Sequence, residues 1–499
     1  MSQFLTLSQI RSIEQLATSQ GQNLIERAGL ATAKWVQDNI SLKTRVLVIA
    51  GRGNNGSDAI AAAISLLALG YKVDLLRLFK DNTETNHNWY QQFNSVKRPL
   101  SRLPSDLNKY GLIIDGIYGI GLTHELDVET ARIIQKINDS HNSQILSLDA
   151  PRGLNPFSGA VQGVAIKADV TLSYICDKPG LHTGDGLDYS GDVQIVDLVN
   201  QDEFALATNT VNVEFNSLAS INYDGLLRTK FNTNKGSYGT VAVIGGNKGM
   251  HGALFLAGRA ALLSGAGKVV LGALDDDFRL DFSMPELMSQ APKDIIKNIQ
   301  AYDAIAIGPG LGQDGKAEKI LAKLLDTIED GKLLVDADAL NLIAASHELR
   351  LKFREVRYKI ITPHPGEAAR ILGMTVSDIQ AIRFTAVDDL TNKLNSVTLL
   401  KGAGSLIQAS NQVFINTTGN PGLANAGQGD TLTGIICGFL AQGLEMLDAT
   451  RLGVYVHGLS ADRLVLQNGG YNGILASNIA TEASKLINEI VYGSLFATS

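Results

Sequence analysis

Short, continuous apolar runs, rather than alternating ones, mark out the first half of the chain. Arg45 to Ala50 reads RVLVIA and then meets Gly51, the pattern of a parallel strand buried on both faces and entering a turn. Similar runs recur at Lys72 to Leu78, Leu112 to Asp115, Gln144 to Asp149, Val170 to Tyr174 and Val193 to Val196, with helix-like stretches between several of them. That alternation predicts an α/β domain of three layers around a doubly wound parallel sheet. From about Asn200 to Asn222 the pattern dissolves into scattered small and polar residues, and it restarts near Lys235. Strands are then predicted at Gly239 to Ile244, Lys268 to Leu271, Ala304 to Ile307, Leu333 to Asp336, Lys359 to Thr362 and Val397 to Leu400. The expected organisation is two α/β domains, residues 1–215 and 216–499, each on its own doubly wound sheet. No short-period repeat appears, which excludes a solenoid.

Composition narrows the class of protein. At 499 residues the chain exceeds what one core serves, and 45% hydrophobic residues with 50 glycines suit α/β enzymes with many strand-to-helix turns. A net charge of -7 gives no broad attraction to nucleic acid or to an anionic membrane. Cys176 and Cys437 are the only cysteines, which argues against a disulfide framework or a cysteine-ligated zinc and fits a reducing cytoplasm. The polar start MSQFLTLSQIRS lacks a secretory core, and the apolar runs fall short of the ~20 residues that span a bilayer. A cytoplasmic location with no membrane partner is expected.

The most telling chemistry lies near the C-terminus. The loop Thr418 to Ala426 leads through Gly427-Gln428-Gly429-Asp430 into a strongly apolar helix predicted over Thr431 to Ala441. Glycines let the backbone approach a ligand, and the free amides and dipole of a helix start attract phosphate oxygens. Asp430 at that start serves either as an N-cap or, beside a bound phosphoryl group, as the base that accepts a proton from an attacking hydroxyl. Upstream, the strand Val397 to Leu400 ends in Lys401-Gly402-Ala403-Gly404-Ser405, where a cation and two glycines suit nucleotide phosphates, although an ordinary hairpin turn reads alike. His364, between two prolines, is by itself a turn residue as readily as a ligand.

Together with Lys235 to Gly239, Gly245-Gly246, Gly252-Ala253, Met284 to Met288, Gly308 to Gly312, Asp336 to Asn341 and Thr362 to Glu367, these segments resemble the ribokinase-like fold and, more closely, the ADP-dependent NAD(P)H-hydrate dehydratases. The resemblance implies that ADP, with magnesium, phosphorylates the 6-hydroxyl of (S)-NADHX or (S)-NADPHX, and that loss of phosphate then restores NAD(P)H and leaves AMP. It places the hydrate near Ala253, Gly310, Gly312, His364 and Asp430, and ADP along Lys401, Gly402, Ala403, Gly404, Ser405 and Gly429, with Asp430 as the base. Gln428 stands where this family has Thr or Ser.

In the first half, Gly51-Arg52-Gly53-Asn54-Asn55-Gly56-Ser57-Asp58 follows a strand, yet its glycines miss the spacing of a classical dinucleotide fingerprint. Asp115 and Asp149 close two further strands at the carboxyl edge, where ligands of open α/β sheets bind, or else they cap the turns that follow. The set resembles the Rossmann-like NAD(P)H-hydrate epimerase domain over Met1 to about Leu198. That resemblance implies hydrate binding by Asn54, Asn55, Gly56, Ser57 and Asp58, by the segment Gly119, Ile120, Gly121, Leu122, Thr123, His124 and Glu125, and by Asp149. It implies a potassium ion held by Asn55, Asp115 and the residue at position 152, and Asp115 as the base for interconverting the R and S hydrates.

Departures from that pattern are Ser57, Ala59, Ile120 and Arg152, the last at the position of a Ser or Thr potassium ligand. A guanidinium there competes with a cation or pairs with Asp115, so the site is expected to be weakened or independent of potassium. Two alternatives stay open at this point. One is a ribokinase-like small-molecule kinase fused to a non-catalytic binding module; the other is a dehydratase with an inactive epimerase domain. A homo-oligomer is expected, acting on small molecules alone.

Overall fold

A computed structural model describes residues 4–79, 83–117, 127–199, 213–280 and 283–496. The chain separates into two compact units, Met1–Glu214 and Phe215–Ser499. The first is built on a six-stranded sheet: β1 (Arg45–Ala50), β2 (Lys72–Arg77), β3 (Leu112–Gly116), β4 (Gln144–Leu148), β5 (Val170–Tyr174) and β6 (Asp192–Val196), in the order β2-β1-β3-β4-β5-β6. Every pairing in it is parallel. From β1 the chain steps outward to β2 and then returns to the other side of β1 as β3, so the topological switch point lies between β1 and β3. One core of Val46, Val48, Ala59, Ile60, Val73 and Leu112 covers one face; Leu47, Ile49, Ile113, Ile134 and Ile145 cover the other. Burial on both faces is why these strands read as unbroken apolar runs.

A second sheet comprises β7 (Val213–Phe215), β8 (Thr240–Gly245), β9 (Lys268–Ala273), β10 (Met288–Ser289), β11 (Ala304–Ile307), β12 (Lys332–Val335), β13 (Lys359–Ile361), β14 (Val397–Leu400), β15 (Leu406–Ala409) and β16 (Gln412–Ile415). Their order is β10-β9-β8-β11-β12-β13-β14-β15-β16-β7, with a switch point between β8 and β11. The sheet is parallel from β10 to β14 and turns antiparallel at β15 and β16. The turn from β14 to β15 is the hairpin alternative that the sequence left open, whereas the β15–β16 hairpin was not expected from it. Its strands are only four residues each and turn back through Ser410, held at a left-handed φ of 51°.

The apolar helix begins at Gln428, three residues before its expected start, and runs Gln428–Ala441 almost wholly buried. It lies flat against the helix His251–Leu263, so close that a Cβ on Gly434 would sit 2.1 Å from the Ala257 carbonyl. Only glycine permits that approach. Among the described residues no helix is long and apolar enough to cross a membrane.

Candidate active sites

In the second unit the carboxyl ends of β11 to β14 meet the start of the helix Gln428–Ala441. Asp336 follows β12 and is 1% exposed. It accepts a hydrogen bond from Lys401 Nζ at 2.8 Å and another from Thr433 Oγ1 at 2.8 Å. Lys401, just beyond β14, also lies 4.0 Å from Glu367. Burial works against the Lys401 ammonium, but the carboxylates of Asp336 and Glu367 outweigh it, and its pKa ends above the ordinary lysine value. Gly429 fits directly over this pair, since a Cβ there would lie 3.4 Å from Lys401 Nζ.

Asp430 is not the N-cap. Gly427 holds that position at φ 86° without a side-chain cap, and Asp430 sits inside the first turn. Burial first, then the negative charge of Asp336, pushes its carboxyl up to about 6. The same two causes lift Glu367 to about 7. A carboxylate with a pKa near the working pH is suited to general-base chemistry. The buried His457 ring is pushed down to about 4 by burial, which outweighs a hydrogen bond to the Gln428 backbone that favours its charged form. Gln428 itself turns away from the ligand side; its Nε2 donates to Asn425 Oδ1 at 3.0 Å and to the Ile474 carbonyl at 3.1 Å. The missing hydroxyl is thus replaced by a brace for the loop.

His364 caps the helix Pro365–Leu372: its Nδ1 accepts from the Gly366 N–H at 2.9 Å, and its backbone N–H donates to Glu367 Oε2 at 2.8 Å. Half its side chain stays exposed beside Glu367. The turn after β11 completes the rim. A Cβ on Gly310 would lie 3.3 Å from that of Ala253, and the Gly312 N–H donates to Asp338 Oδ2 at 2.9 Å. Gly402, Ala403, Gly404 and Ser405 form the turn between β14 and β15, where Ser405 Oγ donates to the Gly402 carbonyl at 2.9 Å.

In the first unit a cavity of about 860 Å³ opens at the switch point. Asn54, Asn55 and Asp58 line it from the helix Gly53–Ala68, Asp149 from the end of β4, Tyr174 from β5 and Glu14 from the helix Leu7–Ser19. Asn55 is 6% exposed, and neither polar atom of its amide has a hydrogen-bond partner. Asp149 stands at a left-handed φ of 65° and is ion-paired with Lys178 at 2.7 Å. Asp115 is not among the lining residues. Its Oδ1 accepts from the Ile117 N–H at 3.1 Å, and its Oδ2 accepts from Ser147 Oγ at 2.9 Å and the Arg152 N–H at 3.0 Å. Burial is the largest influence on its carboxyl and raises its pKa. Gly119 to Glu125 lie outside the described residues.

Residues 241–485 match a family model described as NAD(P)H-hydrate dehydratase, and residues 21–180 match one described as YjeF-related protein N-terminus. The chain is 35% identical to the bifunctional NAD(P)H-hydrate repair enzyme of Coxiella burnetii, covering 96% of this chain and 98% of that protein. It belongs to the bifunctional NAD(P)H-hydrate repair enzymes. The Vibrio cholerae repair enzyme is 33% identical, with 97% of this chain and 98% of that one covered. A Bacillus subtilis ADP/ATP-dependent NAD(P)H-hydrate dehydratase, co-crystallised with ATP and Mg2+, is 29% identical over 56% of this chain and 100% of its own, with a TM-score of 0.48.

For a bifunctional repair enzyme, the Ser57 substitution in the first unit is absorbed locally. Ser57 is fully buried and returns its hydroxyl to the Gly53 carbonyl at 3.1 Å. Arg152 is a larger change. The residue is 5% exposed and its positive charge acts on Asp115, whose oxygens already take three donors. The bare Asn55 amide suits a ligand, but a potassium ion beside Asp115 meets a resident cation, so this donor set does not fit the ion. Sequence reasoning quoted Asp336 and Glu367 within motifs without giving them roles, although Asp336 ends a strand just as Asp115 and Asp149 do. It missed Glu14 and Lys178 altogether.

Proposed function

We propose that the second unit transfers the terminal phosphoryl group of ADP to the 6-hydroxyl of (S)-NAD(P)HX. Asp430 takes the hydroxyl proton as the oxygen attacks, and AMP leaves. Expulsion of phosphate, with loss of a proton from the adjoining ring carbon, then restores NAD(P)H. The observation that carries this reading is the cluster of Asp430, Asp336 and Lys401 under the start of the helix Gln428–Ala441. A base, a partly exposed cation and backbone amides there address the attacking oxygen, the diphosphate and the developing charge in turn. Lys401 to Ser405 and Gly429 would hold ADP; Ala253, Gly310, Gly312 and His364 would face the hydrate. Magnesium would accompany the diphosphate and offset its charge.

The first unit, in this reading, interconverts the R and S hydrates so that both reach the dehydratase. Asn54 to Asp58 and Asp149 would bind the hydrate in the 860 Å³ cavity. Incubating the full chain with mixed R and S hydrates and ADP should regenerate NAD(P)H from all of the material, with release of phosphate and AMP. Conversion that stops when the S epimer is exhausted would remove the epimerase, and accumulation of a phosphorylated substrate would replace the dehydratase by a kinase.

A further inference from the structure

Three carboxyl groups reach the first unit's cavity from three separate elements: Glu14 on the first helix, Asp58 on the helix Gly53–Ala68 and Asp149 after β4. One cation beneath them is fixed. Lys178 is 0% exposed; its Nζ pairs with Asp149 Oδ1 at 2.7 Å and donates to Ser173 Oγ at 2.8 Å and the Tyr174 carbonyl at 3.1 Å. The unpartnered, buried Asn55 amide lines the same cavity and marks the place of a polar ligand. Arg11 and Arg52 also line it, and the Tyr174 hydroxyl is occupied with Thr32 at 2.7 Å. Asp115 is not among the lining residues, and its oxygens are bonded to Ile117, Ser147 and Arg152.

Resting on the epimerase reading of this unit, we propose that Asp58 and Asp149 are its acid and base, and that Lys178 and Glu14 are positioning residues that keep one proton between them. Asp58 donates a proton to the 6-hydroxyl of the hydrate. The C6–O bond breaks, water leaves with the bonding pair, and the ring-nitrogen lone pair forms a C=N bond to carbon 6. Water then adds to the opposite face; its oxygen forms the new C6–O bond, the π pair returns to nitrogen, and Asp149 takes the proton. Proton exchange between the two carboxyl groups resets the site, and the reverse reaction exchanges their roles.

Electrostatics supports this division. Burial first, then the charges of Asp149 and Glu14, pushes the Asp58 carboxyl well above the usual range, so it holds a proton beside the Lys178-paired Asp149. Burial and Asp149 likewise raise Glu14. The carboxyls of Glu14, Asp58 and Asp149 can offset the charge of a transient ring cation, while Arg11 and Arg52 add positive charge to the lining.

The test is R-to-S conversion by the full chain without ADP, resolved chromatographically. Asp149→Asn and Asp58→Asn should each slow it on the order of 100-fold, the scale of lost general acid–base catalysis. Lys178→Met should slow it comparably and move the acid limb of its pH profile upward, and Lys178→Arg should restore both in part. Glu14→Gln should change the pH profile more than the maximal rate. In heavy-oxygen water each turnover should place solvent oxygen on carbon 6. Retention of the wild-type rate by Asp149→Asn, solvent deuterium appearing at carbon 6, or Lys178→Met and Lys178→Arg behaving alike would overturn the assignment. A wild-type chain that interconverts nothing would instead overturn the epimerase reading itself.

Discussion

The two units place a glycine-bearing helix start at the carboxyl edge of a doubly wound sheet, yet they fill it differently. In the second unit the turn is left open: Gly429 exposes Lys401, and the only base in the first turn is Asp430. In the first unit the helix start is furnished with side chains, Asn54, Asn55 and Asp58, and the cation, Lys178, is sealed beneath Asp149. An open start with an accessible ammonium is built for phosphate oxygens. A furnished start with a sealed ammonium governs protons instead. The same scaffold therefore yields two chemistries by moving one lysine relative to one glycine.

The contrast breaks most severely at Lys401. In Lys401→Met, Asp336 and Glu367 keep their burial and lose their cation, which costs roughly 3–5 kcal/mol. Dehydration of the S hydrate should fall by about 1,000-fold or more, the scale seen when a transition-state charge loses its partner. Thermal melting separates the two effects. The stability deficit should shrink from pH 7.5 to 5.5 as the stranded carboxyls take up protons, and the activity should not return. A deficit independent of pH would mean that the lysine acts by packing alone.

Asp430→Asn comes next, with a loss on the order of 100-fold in dehydration. Because the wild-type carboxyl is pushed up to about 6 and must be ionised to act, the wild-type rate should climb as pH rises through that value and level off above it. The sign for stability is opposite. The folded state binds this proton more tightly than the unfolded chain, so the carboxylate destabilises the fold above about pH 6, and Asp430→Asn should melt higher than wild type at pH 7.5 but not at pH 4.

How much of this was legible beforehand follows the same physics. The strands RVLVIA and AIAI were plain because both faces are buried, whereas β10, with two residues, and the β15–β16 hairpin have too little length to show a period. The start of the helix Gln428–Ala441 was placed late because Gly-Gln-Gly reads as loop, and the His457 ring that meets the Gln428 backbone is remote in sequence. Asp430 and Lys401 were visible from their turns. Lys178 was not, since a lysine before Pro179 resembles any turn residue until β5 brings it beneath the end of β4. Asp115 was legible as a strand-end acid, but strand-end position does not show that its oxygens accept from the Ile117 and Arg152 amides.

The smallest expected effect bears on the cation of the first unit. Arg152 brings its own positive charge to Asp115, where the family pattern has a potassium ligand. Epimerisation by the wild-type chain should therefore vary by less than about twofold between potassium-free buffer and saturating potassium, since a fixed guanidinium needs no counter-ion to balance one carboxylate. Arg152→Ser removes that charge while keeping the backbone N–H that donates to Asp115 Oδ2 at 3.0 Å. Its rate should become dependent on potassium and its melting temperature should rise with potassium concentration, because an ion that binds only the folded state stabilises it by mass action. A wild-type enzyme that requires potassium would show that the guanidinium and the ion coexist, and the two units would then differ in their bound ions rather than in where their own cations are built.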